Sequence, residues 1–295
     1  MTARAVFLAQ AAALVLLVLW AAPADTGEGR TFMWTFQGEK GREVHLLGSI
    51  HMAQQDLYPL PESIEQRFAG SAVLVVEADV TRFASAIQEK ILSRGMYPSG
   101  ERLEENISPK TRALLESRGV DMQEAGSMRP WLLAMTLQLK MLQSLGYEQQ
   151  YGIDVHFLGR AAERGMDIVE LETIEEQIEL FATLSEADED RFLVYALTEI
   201  DTMSGTAGEI FRAWTDGNVE YLESLIFKTY RDNPALTPFF DALFQERNRK
   251  MARTVKRFLQ TPGEDVFVVV GAGHLVGPKG IVSVLEHDGF QFQRH

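Results

Sequence analysis

A chain of 295 residues with 46% hydrophobic and 24% charged side chains can build one large domain or two small ones. Its formal net charge of −14 gives no counterion-release attraction to a polyanion, which argues against nucleic acid as a partner. The absence of cysteine excludes disulfides, thiolate nucleophiles, cysteine-ligated zinc, iron–sulfur clusters and a lipid-modified N-terminal cysteine.

Residues 1–24 read as a signal peptide. Arg4 supplies a short positive region, an apolar run follows, and Ala22-Pro23-Ala24 puts small residues where a signal peptidase reads them. Cleavage after Ala24 would leave residues 25–295 as a mature chain exported to the periplasm or the extracellular space. The rival reading is an uncleaved anchor, because the apolar run of about 18 residues approaches the roughly 20 needed to cross a bilayer. Membrane contact is expected only through this segment, and only if it stays uncleaved.

Next come "TFMWTFQG" and "REVHLLGSIH", which flank "GEKG" and predict a hairpin. "SAVLVVEADV", "MDIVELET" and "EDVFVVVGAGH" are continuous apolar runs, the signature of strands covered on both faces, and "GFQFQRH" offers an edge strand. Between them the chain reads as helical. Ser108-Pro109 opens a helix, "PWLLAMTLQLKMLQSLG" reads as amphipathic up to Gly146, and "IDVHFLGRAAERG" stops at Gly165. Asn233-Pro234 opens one long segment running through "ALTPFFDALFQERNRKMARTVKRFLQ". No linker divides the mature chain. The expectation is a single α/β domain, residues 25–295, with a central mostly parallel sheet and helices on both faces. A large, mainly helical insertion over about residues 100–260 interrupts it.

Two stretches share one plan. "VHLLGSIHMAQQDLYPLPESIEQRF" and "VFVVVGAGHLVGPKGIVSVLEHDGF" each run from an apolar strand through Gly-x-x-His and a proline loop into a helix. Gly48 and His51 belong to the first, Gly271, Gly273 and His274 to the second. Glycine permits tight turns and close backbone approach at a strand end, where open α/β sheets bind their ligands. One such pattern is commonly a plain turn; two in the same context point to a paired site. A dinucleotide loop is excluded for "GAGHLVG", because too little chain follows for the second strand and its acid. Walker A, His-Glu-x-x-His and Gly-x-Ser-x-Gly patterns are absent.

Among the charges, Glu77 closes an apolar strand, where a carboxylate needs a partner, a metal or water; Asp79 could substitute for it. Glu172 follows another strand and reads as the cap of a helix near Thr173, and Asp154 reads as a cap behind Gly152. Arg247 lies on an apolar helical stripe with Phe240, Phe244, Met251, Val255 and Phe258. A buried arginine there needs an anion, either a structural glutamate or a substrate oxyanion. His45, His156, His287 and His295 read as structural or surface residues.

Gly48-Ser49-Ile50-His51, Glu77, "RPW" at 129–131, "GID" at 152–154, "LET" with Gln177, "ERN" at 246–248 and the stretch 269–290 together resemble the TraB/GumN family. That family is related to the Tiki metalloproteases and similar in fold to erythromycin esterase and ChaN-like proteins. The resemblance runs from about Thr31 to Arg294. Serine stands second in the first motif, where the family often has threonine. The resemblance implies an active centre of His51, Glu77 and His274 with Arg247 nearby. Gly48, Gly271, Gly273, Asp154 and Glu172 are candidate cleft residues beside it. Two imidazoles and a carboxylate suit a divalent Zn, Mn or Co ion with an open position. The expected activity is metal-dependent hydrolysis of a peptide or amide bond in a peptide or small-molecule substrate. Two alternatives stand beside it: a metal-free hydrolase using histidine, and a binding protein that sequesters a peptide or haem.

Overall fold

In the computed structural model, which describes residues 31–81, 84–232 and 234–295, the described chain begins with the expected hairpin. The predicted signal peptide, residues 1–24, lies outside the described residues. Strands β1 (Met33–Gln37) and β2 (Glu43–Ser49) pair antiparallel, with Met33 opposite Leu47 and Gln37 opposite Glu43. Helix α1 (Glu62–Gly70) leads to β3 (Val73–Val76). Helices α2 (Ala84–Gly95), α3 (Pro109–Ser117), α4 (Pro130–Ser144) and α5 (Ile153–Arg164) precede β4 (Asp167–Glu170). Then come α6 (Ile174–Ala182), α7 (Glu186–Glu199), α8 (Met203–Thr215), α9 (Val219–Asp232) and α10 (Arg247–Gln260). The chain closes with β5 (Val266–Gly271), α11 (Ile281–His287) and β6 (Phe292–Arg294).

The strand order is β4-β3-β5-β2-β1-β6. The first four run parallel, while β1 is antiparallel to both β2 and the edge strand β6. This is the expected α/β arrangement, with β4 joining the sheet from within the mainly helical region. Every residue of β5 is buried. Successive strand side chains point to opposite faces, so both faces of the sheet are covered. On one face Phe267 packs against Phe68 of α1 and Phe157 of α5, with ring centroids 5.5 and 4.9 Å away. Burying each such ring contributes roughly 1.5–3 kcal/mol.

Local rules hold at several helix ends. The Ser108 side chain accepts from the Thr111 backbone N–H, with Pro109 at the first helical position of α3. Gly165 ends α5 at φ 63°. Two helices depart from expectation. The first seven residues of α4, Pro130 to Thr136, are all buried, so this helix is interior rather than amphipathic; α7 and α8 pack on it. The long segment expected after Pro234 divides into a turn at Thr237–Phe240, a π-helical turn at Asp241–Glu246, and α10. The wide turn ends immediately before Arg247, and such turns recur at functional sites.

Candidate active site

Four successive parallel strands end along one edge of the sheet, and each delivers a residue there. Ser49 of β2 lies opposite Gly271 of β5, so the two Gly-x-x-His turns leave the sheet side by side. On the other flank of β5, Val76 lies opposite Val269, and Glu77 follows at once. Beyond it, the Glu172 backbone N–H donates to the Glu77 carbonyl at 2.8 Å. This is the crevice outside the carboxyl ends of the strands, where open α/β sheets bind ligands.

Glu77 is the hub. Its Oε1 accepts from the Gly271 N–H at 2.5 Å and lies 3.6 Å from His274 Nε2, while its Oε2 accepts from Arg247 Nη2 at 2.8 Å. A Cβ on Gly271 would sit 3.1 Å from Glu77 Oε1 and 3.3 Å from His51 Nε2. Any side chain at 271 would therefore press on both the carboxylate and the imidazole. Burial alone would raise the Glu77 carboxyl. The charges of His274, Arg247 and His51 and the Gly271 N–H outweigh it and hold the group at about 2.

Each imidazole is oriented from behind. His51 Nδ1 donates to Asp154 Oδ2 at 2.8 Å, and Ser49 Oγ donates to the other Asp154 oxygen at 2.8 Å. His274 Nδ1 donates to Asn248 Oδ1 at 2.6 Å, and Asn248 Nδ2 donates to the Lys279 carbonyl at 2.9 Å, which fixes the amide orientation. Both rings thus commit Nδ1–H elsewhere and leave Nε2 for the cleft. The two differ in basicity. Burial works against protonation of His51, but the charge and hydrogen bond of Asp154, helped by Glu77, push it up to about 9. His274 is pushed down to about 3 by burial and by the charges of Arg247 and His51, against the pull of Glu77.

Arg247 settles between two carboxylates. Its Nε donates to both oxygens of Glu172, at 3.0 and 2.9 Å, its Nη2 to Glu77, and its Nη1 to the Leu243 carbonyl at 3.2 Å. Among the described residues these contacts use three of its five N–H groups, and Arg247 also lines a cavity. Two expectations are corrected. Asp154 lies in the first turn of α5, whose N-cap is Gly152, and its side chain serves His51 and Ser49 instead of capping. Thr173, not Glu172, caps α6, in a capping box with Glu176, and Glu172 turns inward to Arg247. Burial pushes the Glu172 carboxyl up, opposed by Arg247.

The remaining residues fall as follows. Gly48 sits beneath the Phe32 ring, and Gly273 beside Phe244, whose ring centroid is 5.4 Å from that of His274. Asp79 accepts from Thr81 in the turn after β3. Sequence reasoning gave no role to Ser49 or Asn248. The available signal was position alone: Ser49 is inside the first motif, and Asn248 follows Arg247. His45 lies at the other end of β2. With Glu43 and Asp265 it forms the group, among the described residues, whose possible ligand atoms all lie within 4.8 Å of one another.

The fold and this edge define an α/β protein with a site built from paired Gly-x-x-His turns, a strand-end glutamate and a helix-borne arginine. The TraB/PrgY/gumN family model matches residues 32–294, and the chain belongs to that family. It is similar to "Uncharacterized protein YbaP" of Escherichia coli (strain K12), 30% identical over 276 residues that cover 90% of this chain and 96% of the relative. The protein of that name from Shigella flexneri matches with the same identity and coverage. No solved structure matches the chain.

Proposed function

We propose that this protein is an exported hydrolase of peptide or amide bonds that uses a divalent metal ion held by His51, His274 and Glu77. One observation carries the reading: two imidazoles, each with Nδ1–H bonded to a partner behind it, leave Nε2 for the cleft that Glu77 lines, with His274 Nε2 3.6 Å from that carboxylate. Metal-binding histidines are held in this way. Charge supports the fit. Once His51 gives up the proton it otherwise holds to about pH 9 and both imidazoles are neutral, the carboxylates of Asp154, Glu77 and Glu172 face one guanidinium, leaving two negative charges for a divalent ion to balance. A Zn, Mn or Co ion suits this donor set and, when bound, lowers the pKa of its water to about 7 and polarises a carbonyl. Asp154 and Asn248 hold the rings in the ligating tautomer. The remaining N–H groups of Arg247 stand ready for a developing oxyanion, and losing one such donor typically costs about 100- to 1,000-fold in rate. Export rests on the reading of residues 1–24; among the described residues, no helix is long and apolar enough to cross a membrane.

The test is elemental analysis of untagged protein together with hydrolysis of a peptide mixture. The expected result is one divalent ion per chain, lost in both His51→Ala and His274→Ala, with hydrolysis abolished by chelator and restored by the ion. Full metal content in both variants would refute the proposed centre. A second, metal-free reading rests on the His51–Asp154 pair. Hydrolysis that resists chelator and changes with the His51 proton near pH 9 would favour it.

A further inference from the structure

His51, Phe244 and His274 line two cavities that differ in their charged groups. Glu77, Asp154 and Arg247 line the first. No aspartate, glutamate, lysine or arginine lines the second, which is walled by Met203, Ala207 and Phe211 of α8, Leu222 and Ile226 of α9, and Leu142 of α4. Met203 and Ala207 lie one turn apart on α8, as Leu222 and Ile226 do on α9, a spacing that reads as ordinary core. Here these residues surround a space of about 110 Å³ that reaches the two histidines. For scale, an apolar cavity of roughly 150 Å³ admits a benzene ring. The wall is also fixed to the site: Trp214 of α8 donates to the Gly48 carbonyl at 2.6 Å, tying that helix to the first Gly-x-x-His turn.

We infer that this cavity receives the substrate side chain next to the cleaved bond and selects leucine or methionine, with phenylalanine at the limit of the space, over charged residues. The inference rests on the hydrolase reading above. An ammonium entering the cavity would lose its hydration and meet no opposite charge, and a carboxylate would lose its hydration and meet only the imidazoles at one end of the cavity. An apolar side chain would fill the space and exclude water beside the histidines. The sheet edge thus supplies the chemistry, and the helices between β4 and β5 supply much of the selectivity. One methylene more or less in such a pocket changes the rate about 10- to 200-fold, which sets the scale of the effect.

The experiment compares wild type with Ala207→Phe, which fills the cavity, and Phe211→Ala, which enlarges it. Substrates are fluorogenic peptides carrying Ala, Leu, Phe, Asp or Lys beside the cleaved bond. Wild type should favour Leu and Phe over Asp and Lys by about 100-fold or more in kcat/KM, as a two-methylene difference or greater would give. Ala207→Phe should lose about tenfold or more on the Leu and Phe peptides while retaining the Ala peptide, and Phe211→Ala should move the optimum toward Phe. A flat profile, or one that neither variant changes, overturns the subsite and leaves hydrolysis standing. If no peptide is cleaved, the hydrolase reading fails, and calorimetry with reduced-amide peptides decides the cavity separately. Tighter binding of the Leu peptide than the Asp peptide, lost in Ala207→Phe, supports the apolar site; equal binding refutes it. Circular dichroism confirms that each variant is folded, and Phe211→Ala, at a partly exposed position, carries the test should Ala207→Phe fail to fold.

Discussion

Arg247→Met removes the one cation that two buried carboxylates share. Glu172 and Glu77 have side chains only 2% and 9% exposed, and Arg247 contacts them at 2.9 and 2.8 Å. Removing one partner of a buried pair costs about 3–5 kcal/mol, because the remaining charge stays desolvated and uncompensated. Glu77 keeps the Gly271 N–H, so most of the cost falls on Glu172, which loses the donor to both its oxygens. Glu172→Gln alone should be milder, about 1–3 kcal/mol, since the amide oxygen still accepts and Arg247 still pairs with Glu77. The double variant should cost less than the two single losses combined, with a coupling of about 1–3 kcal/mol. The assay is urea unfolding followed by circular dichroism at pH 7 in chelator, with the slope against urea required to stay constant. The penalty of Arg247→Met should shrink toward pH 5. A buried carboxylate without its cation has a folded-state pKa above its unfolded value, so it destabilises at high pH and is relieved as pH falls. A loss below about 1 kcal/mol for Arg247→Met, or strict additivity in the double variant, would refute the argument that this arginine is buried between the two acids for charge balance.

Asp154→Asn keeps the shape behind His51 and removes the charge that counters burial there, so the His51 proton, held up to about 9, should come off at least a unit lower. An NMR titration of the metal-free imidazole reads this directly, and an unmoved value would assign the shift to another group. His45 offers a pH test outside the site. Burial pushes it down to about 4, against the charge of Glu43. It is neutral when folded and takes up a proton on unfolding, so the stability it contributes is lost as pH falls from about 6.5 toward 4, by about 3 kcal/mol at most. His274, pushed down to about 3, adds to the same slope. His45→Asn should therefore flatten the stability curve across that window without levelling it, and an unchanged slope would refute the assignment.

What was legible in the sequence and what was not divide along a physical line. Gly48, His51, Gly271, His274 and Glu77 could be found because strand ends are written locally, as an apolar run that stops at glycine or acid. Arg247 could be found because an arginine on an apolar stripe contradicts its surroundings. The roles of Asp154 and Glu172 could not, because an acid beside a helix start satisfies a local capping rule equally well, and tertiary partners overrode that rule in both places. The interior character of α4 was masked by polar residues such as Thr136 and Gln138, whose burial only the neighbouring helices decide. Its Gln138 lines the apolar cavity. The π turn before Arg247 has no periodic signature in the sequence, and it ends where the guanidinium reaches both carboxylates.

The same division bears on function. Parallel pairing along β4-β3-β5-β2 requires only apolar strands in register, and that register alone aligns Glu172, Glu77 and the two Gly-x-x-His turns. A chemistry placed on strand ends therefore persists so long as the sheet persists. The cavity beside it depends on side chains of α8 and α9, which the sheet does not constrain. Under the proposed function, substitutions there alter the selected side chain while the carboxylates, imidazoles and guanidinium stay where they are. Selectivity and reactivity should on this account be separable by mutation: changes at Ala207, Phe211 or Ile226 should move preference among substrates and spare metal content, whereas changes at His51 or His274 should abolish both metal and turnover.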